Sequence, residues 1–288
     1  MRALAEFIMR GRAQASVVAL IGSWFPLTSP ATVALVSLRR GSSDGLLILL
    51  WAALPALITF AISDMGPLMT MVTVAGLLLT YVAALLLRVQ PSWPKALMGL
   101  VGMASLCGFL LAWAEPDPVA TMTEALGEML QQMQSQAPAG AAVFEPSATF
   151  VVGLMSYVIA LNALFSLCLA RWWQAALYNP GGFQAEFHQL RLSPVQALVC
   201  LAAMVYCWQQ GNDYHAWSSL FGLPLLVAGI SLVHYTVKAR KFGGQWLVLF
   251  YLALLLFNPL TLGLMVVATL DTWINFRSRI GSKSSKEG

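Results

Sequence analysis

Between Arg171 and Ser193 the chain reads RWWQAALYNPGGFQAEFHQLRLS, which brings Glu186, His188 and two arginines, Arg171 and Arg191, into one short stretch. An imidazole beside a carboxylate can move protons, but that chemistry needs a partnered nucleophile or a second ligand in reach. The other histidines, His215 and His234, lie on separate segments, so a metal site would require the fold to gather them. The four cysteines, at positions 107, 168, 200 and 207, fall inside apolar blocks and form no C-x-x-C pair. They read as small buried hydrophobes, not redox or metal groups. No G-x-x-x-x-G-K-[ST], H-E-x-x-H or G-x-S-x-G occurs, which removes the signals for ATP hydrolysis, zinc proteolysis and esterase chemistry. The expectation is a protein without enzymatic activity, cofactor or metal.

Polar groups set into apolar sequence are candidates of another kind, because burying them is costly. Asn162 sits in the middle of an apolar block, His234 near the end of another, Asn258 beside a proline, and Asp271 deepest among the acids. Arg39, Arg40 and Arg171 stand at block ends. These seven residues are the candidates for ligand binding or polar helix packing.

The elements that must position them are membrane helices. Of the 288 residues, 59% are hydrophobic and only 10% charged, well under the roughly 25% of soluble domains. Apolar blocks run at about 14–38, 45–63, 66–88, 96–114, 149–170, 193–209, 215–237 and 246–275. Blocks of roughly 20 residues span the hydrocarbon core of a bilayer. The chain therefore reads as an all-α, polytopic transmembrane bundle forming one domain over 1–288. The net charge of +4 is spread over helix ends and forms no groove-sized patch, so nucleic acid is not an expected partner; the lipid bilayer is.

Residues 1–12 place Leu4, Phe7 and Ile8 at helical spacing among Arg2, Arg10 and Arg12, as in a short helix on an anionic cytoplasmic leaflet. Segment 115–146 carries five acids and no Lys or Arg, which puts it outside. Within it Asp117-Pro118 reads as a helix start, a Val119-Met122-Leu126-Met129-Leu130-Met133 stripe as an amphipathic helix, and Pro138 as its end. Asp64 reads as a solvated residue of a short outer turn. The stretch 171–193 falls inside as a cytoplasmic collar. Trp172, Trp173 and Tyr178 would form an aromatic belt, Asn179–Gly182 a turn, and Phe183, Phe187 and Leu190 the apolar side of a short helix with Glu186 and His188 on its polar side. A docking surface for a cytoplasmic protein stays open there.

Simple counting fails at both ends, since a single crossing by 14–38 or 246–275 strands basic clusters on the wrong side. Both conflicts vanish if these blocks are broken into pairs of short helices at "FPLTSP" (Pro26, Pro30) and "FNPL" (Asn258-Pro259). Interrupted segments of this sort point to a binding site in transporters. A plain proline kink is the alternative. Both termini, including a flexible basic tail at 278–288, are then cytoplasmic.

"LVSLRRGSSDGLLI", "LNALFSLCLARWW" and "LDTWINFR", in this order and over nearly the whole chain, resemble the YybS-like membrane proteins of bacteria. That family has a hydropathy pattern similar to the substrate-binding components of energy-coupling-factor transporters. The resemblance implies a bacterial inner-membrane protein whose helices surround a small-molecule pocket, here between the broken end blocks and the Asn162 helix. The chain departs from those components in its outer helix and its collar. A small molecule or lipid precursor is the expected ligand; a structural or assembly role with a protein partner is the alternative.

Asp271 carries the sharpest expectation. Six residues of unbroken helix separate it from Arg277 by about 9 Å and roughly 120°, so the two would not pair. Arg39, Arg40 or Arg171 would then be its partner, closing the bundle between its first, fifth and last blocks.

Overall fold

The computed structural model describes residues 2–63, 67–134 and 144–284, the last four of these by backbone alone. The positions of Asp64 and Pro138, and most of the basic tail beyond Ile280, lie outside the described side chains. Among the described residues every regular element is helical. Five helices are long and apolar enough to cross a membrane on their own, and up to seven if each of two bent pairs counts as one span.

The first block is broken, and it turns back on itself. After α1 (Arg2–Arg10), helix α2 (Arg12–Ile21) runs into a tight turn at Gly22–Trp24, and α3 (Thr28–Arg40) returns. The two are antiparallel. Arg12 at the start of α2 reaches Asp44 at 2.6 Å, beyond the end of α3, and Arg40 donates to the Met9 carbonyl at 2.7 Å. At the other end the Ser29 hydroxyl donates to the Ala19 carbonyl at 2.8 Å. Thirteen residues rise about 20 Å, so this hairpin enters the bundle and turns near its middle. Every residue from Ala31 to Leu38 is buried. Small side chains let neighbouring backbones close in, and Thr32 and Ser37 satisfy their hydroxyls on carbonyls of their own helix. Gly41, at φ 103°, supplies the left-handed conformation that turns the chain into α4.

The spans α4 (Ser42–Ile62), α5 (Leu68–Val89) and α6 (Trp93–Ala114) then zigzag, and α7 (Pro116–Gln134) follows at the far end. α7 starts at Pro116, so Asp117 belongs to its first turn and does not precede it. Of its stripe, Val119 is buried and Met122 and Leu126 pack on the core, whereas Met129 and Met133 are exposed. The long α8 (Ala148–Tyr178) continues straight through the expected start of the collar at residue 171. The collar's own helix is α9 (Gly182–Gln189); α10 (Pro194–Gln209) and α11 (His215–Ala239) form the next hairpin of spans.

The last block also turns back. α12 (Gln245–Leu256) and α13 (Pro259–Ile274) meet at 115°, with Asn258-Pro259 at the break. α12 begins where α11 ends, and α13 finishes beside the collar, so both feet share one end of the bundle. α14 (Phe276–Ser284) follows. Contacts of Arg12, Arg39, Arg40, Arg88, Arg171, Arg191, Lys238 and Arg277 link these feet to one another, which makes this the basic end.

Candidate functional site

Two polar arrangements stand out, one at the basic end and one at mid-depth. At the basic end Asp271 pairs with Arg277, which corrects the expectation that it would pair with Arg39, Arg40 or Arg171. The reason is Asn275, whose left-handed backbone (φ 52°) ends α13. With the helix broken, the six-residue rotation that would hold the two side chains apart no longer applies. An asparagine tolerates this conformation better than most residues. Asp271 also accepts from the Phe276 amide at 2.8 Å, and Arg191 lies 3.8 Å away.

Arg277 is a hub. It donates to the carbonyls of His188 (2.9 Å) and Leu190 (2.8 Å) and to the Ser231 hydroxyl at 3.0 Å, which itself donates to the Phe187 carbonyl. Burial pushes its guanidinium down, and the Asp271 carboxylate opposes that. Arg191 caps the end of α13 through the carbonyls of Asp271 (2.9 Å) and Thr272 (2.8 Å). The Asp271–Arg277 pair is taken up by these structural partners, while Arg191 also borders an open cavity of about 560 Å³ with Lys95 and Thr272. The arrangement ties the last helices to the collar and α11, not to the first and fifth blocks.

His188 is buried here and does not project from a polar helix side as the spacing suggested. Its ring lies 6.3 Å from Tyr235 and 6.5 Å from His234. Burial, then the nearby Lys238, His234 and Arg277, lowers its pKa. Glu186 does reach out, to Arg171 at 2.9 Å and to the Trp93 indole at 3.4 Å. Trp173 is buried with its ring nitrogen unpartnered, so the belt reduces to the exposed Trp172 and Tyr178. The remaining arginines are engaged locally: Arg39 lies 4.2 Å over the Tyr178 ring and Arg40 holds α1. His234 meets the Tyr251 hydroxyl at 2.8 Å, joining α11 to α12.

The mid-depth arrangement is a cavity of about 430 Å³ between the first hairpin, α4, α5 and α8. The turn residues Gly22–Leu27 line it, as do Thr73, Gly76, Leu77, Val158 and Asn162. Asn162 is midway along the 31-residue α8. It is exposed to this space, and its amide makes no hydrogen bond among the described residues. An amide facing a cavity between apolar helices needs polar partners, so water or a polar group of a ligand belongs beside it. Leu27, also on the wall, holds φ 63°, a strained backbone for a branched side chain. Sequence reasoning located the break and Asn162; it had no signal for Leu27 or for Gly76, which looks like any small residue in a span.

No protein-family model, no curated protein and no solved structure matches this chain. The site therefore rests on its own geometry. Asn258, expected near the same pocket, is exposed at the tip of the second hairpin and does not line the cavity. The two broken blocks do not share one site, because each packs on its own set of spans. A second cavity of about 660 Å³ opens under α7, walled by Phe109, Trp217, Phe221, Tyr206 and Tyr214. Its Trp217 indole already donates to the Thr149 carbonyl at 3.0 Å. No group of three or more metal-ligating side chains occurs among the described residues.

Proposed function

We propose that this integral membrane protein binds, and through that binding transports or delivers, a small molecule or lipid precursor in the cavity between its first re-entrant hairpin and α8. The unpartnered amide of Asn162 carries the reading. A proline-interrupted half-helix beside a polar group at mid-depth is a recurrent way to build a substrate site in membrane carriers. The resemblance to YybS-like proteins, and through them to vitamin-binding transporter components, agrees with this reading. On it the protein is non-enzymatic and sits in a bacterial inner membrane.

The orientation belongs to the same proposal. With the basic end cytoplasmic, both termini are inside and α7 is outside, as the positive-inside rule requires. Cysteines introduced at Gln136 and Ser284, in a background lacking the native four, should label from opposite sides.

The binding test is thermal unfolding of purified protein against a panel of vitamins and neutral lipids. A ligand that stabilises the wild-type chain should lose its effect in Gly76→Leu, whose new side chain enters open space on the cavity wall. Co-purification of a stoichiometric protein partner, with no ligand response from any compound, would favour an assembly role instead.

A further inference from the structure

The mid-depth cavity contains no Lys, Arg, His, Asp or Glu among its described lining residues. Resting on the reading of that cavity as a binding site, we infer that its ligand is an uncharged amphiphile: an apolar body carrying one hydroxyl or carbonyl group that pairs with Asn162. A full charge carried to this depth has no counter-charge, and its desolvation would exceed what neutral dipoles return.

The amino end of α3 is the one feature that could argue for an anion, since half-helix termini hold carboxylates in other carriers. Here its donors are already used or missing. The Thr28 amide donates to the Phe25 carbonyl at 3.3 Å and the Ala31 amide to the Leu27 carbonyl at 2.9 Å. Residue 30 is proline and has no amide hydrogen. The Ser29 amide lies against Gly22, where an added Cβ would come within 3.1 Å of its nitrogen. An anion would find at most one donor where anion-binding helix ends offer several.

Neutral groups remain available. Asn162 offers two donors and one acceptor, and the Trp24 indole, also on the wall, has no hydrogen bond among the described residues. That set suits a hydroxyl or carbonyl oxygen. The rest of the lining is chiefly aliphatic or aromatic, which suits a chain or ring.

The test uses a matched pair of probes, bromoundecanol and bromoundecyl sulfate, each brominated at the end of its chain, with the full-length protein in lipid nanodiscs. Bromine quenches nearby tryptophan, and comparison with Trp24→Phe isolates the signal of Trp24. The alcohol should quench the Trp24 signal saturably. Asn162→Leu should weaken its apparent affinity about tenfold, the worth of one hydrogen bond, and Gly76→Leu should remove saturation. The sulfate should give no saturable quenching.

Saturable quenching by the sulfate, as tight as that by the alcohol, would overturn the ligand class and leave the cavity reading standing. Quenching by the alcohol that stays linear and is unchanged in Gly76→Leu would sink both. If Gly76→Leu removes saturation while a folded Asn162→Leu leaves the apparent affinity of the alcohol unchanged, the amide is not the partner and the inference fails. Should Asn162→Leu not fold, the alcohol–sulfate contrast and Gly76→Leu still decide the class.

Discussion

The chain contains two proline-broken hairpins that enter from the same end, and they are built in opposite ways. In the first, α3 is buried along eight consecutive residues and its turn opens on a cavity. In the second, α12 has no buried residue at all, and only α13 is seated, against α11. At Gly229 an added Cβ would lie 2.7 Å from the Leu264 carbonyl, which shows how close that seat is. The feet differ in the opposite sense. The first hairpin is pinned by an Arg12–Asp44 pair whose arginine is 65% exposed, the second by Asp271 and Arg277 at 3% and 11%. One hairpin is held by its body and the other by its foot. A break in the sequence makes a hairpin, but packing decides whether that hairpin makes a site.

The sharpest way to break this comparison is Arg277→Met. It removes the closest positive charge from the buried Asp271 carboxylate, leaving it the Phe276 amide and Arg191 at 3.8 Å, and takes a donor from the His188 and Leu190 carbonyls. It should cost about 3 kcal/mol in mixed-micelle unfolding. Asp271→Asn should cost less, because Arg277 keeps its neutral acceptors. Arg12→Met at the other foot should leave the unfolding curve nearly unmoved, since the arginine is largely exposed and Arg40 stays 3.9 Å from the Asp44 carboxylate. Equal losses at Arg12 and Arg277 would erase the distinction.

Gly229→Val attacks the seat of the second hairpin. It drives a side chain into the Leu264 backbone and should cost about 1–3 kcal/mol by the same measurement. Next in size comes a pH effect at the collar. Because the folded-state pKa of His188 is lowered, the unfolded chain binds the proton more readily, and stability falls on acidification through the ordinary histidine value of about 6.5. The loss is at most about 1.4 kcal/mol per pH unit, and His188→Gln should flatten the profile. Smallest is Gly76→Leu in the first hairpin's cavity. Its Cβ meets nothing within 4 Å, so stability should shift by no more than about 0.5 kcal/mol while ligand binding is lost.

The helical class, the two breaks and the basic clustering were legible because composition, proline chemistry and charge bias are local signals. Asn162 was legible for the same reason, as an amide where the surroundings are apolar. Asp271 was located correctly but given the wrong partner, because Asn275 leaves the helical region and nothing nearby in sequence forces it to do so. His188 was misplaced because a helical pattern gives spacing but not which neighbours cover each face, and Tyr235 and Arg277 come from far along the chain. The cavity wall itself was invisible for that reason: it is assembled from four segments.

The Arg277 hub also imposes an order on biosynthesis. The His188 and Leu190 carbonyls leave the ribosome 89 and 87 residues before the guanidinium that receives them. Through that interval, while α10 to α13 are being inserted, water at the bilayer surface stands in for the guanidinium, joined at Leu190 by the Ser231 hydroxyl once α11 is in place. The collar can already lean on Arg171, Trp93 and Ser231, but its seam with α14 closes only when Arg277 arrives, so a nascent chain stalled before that residue leaves this one seam open and hydrated.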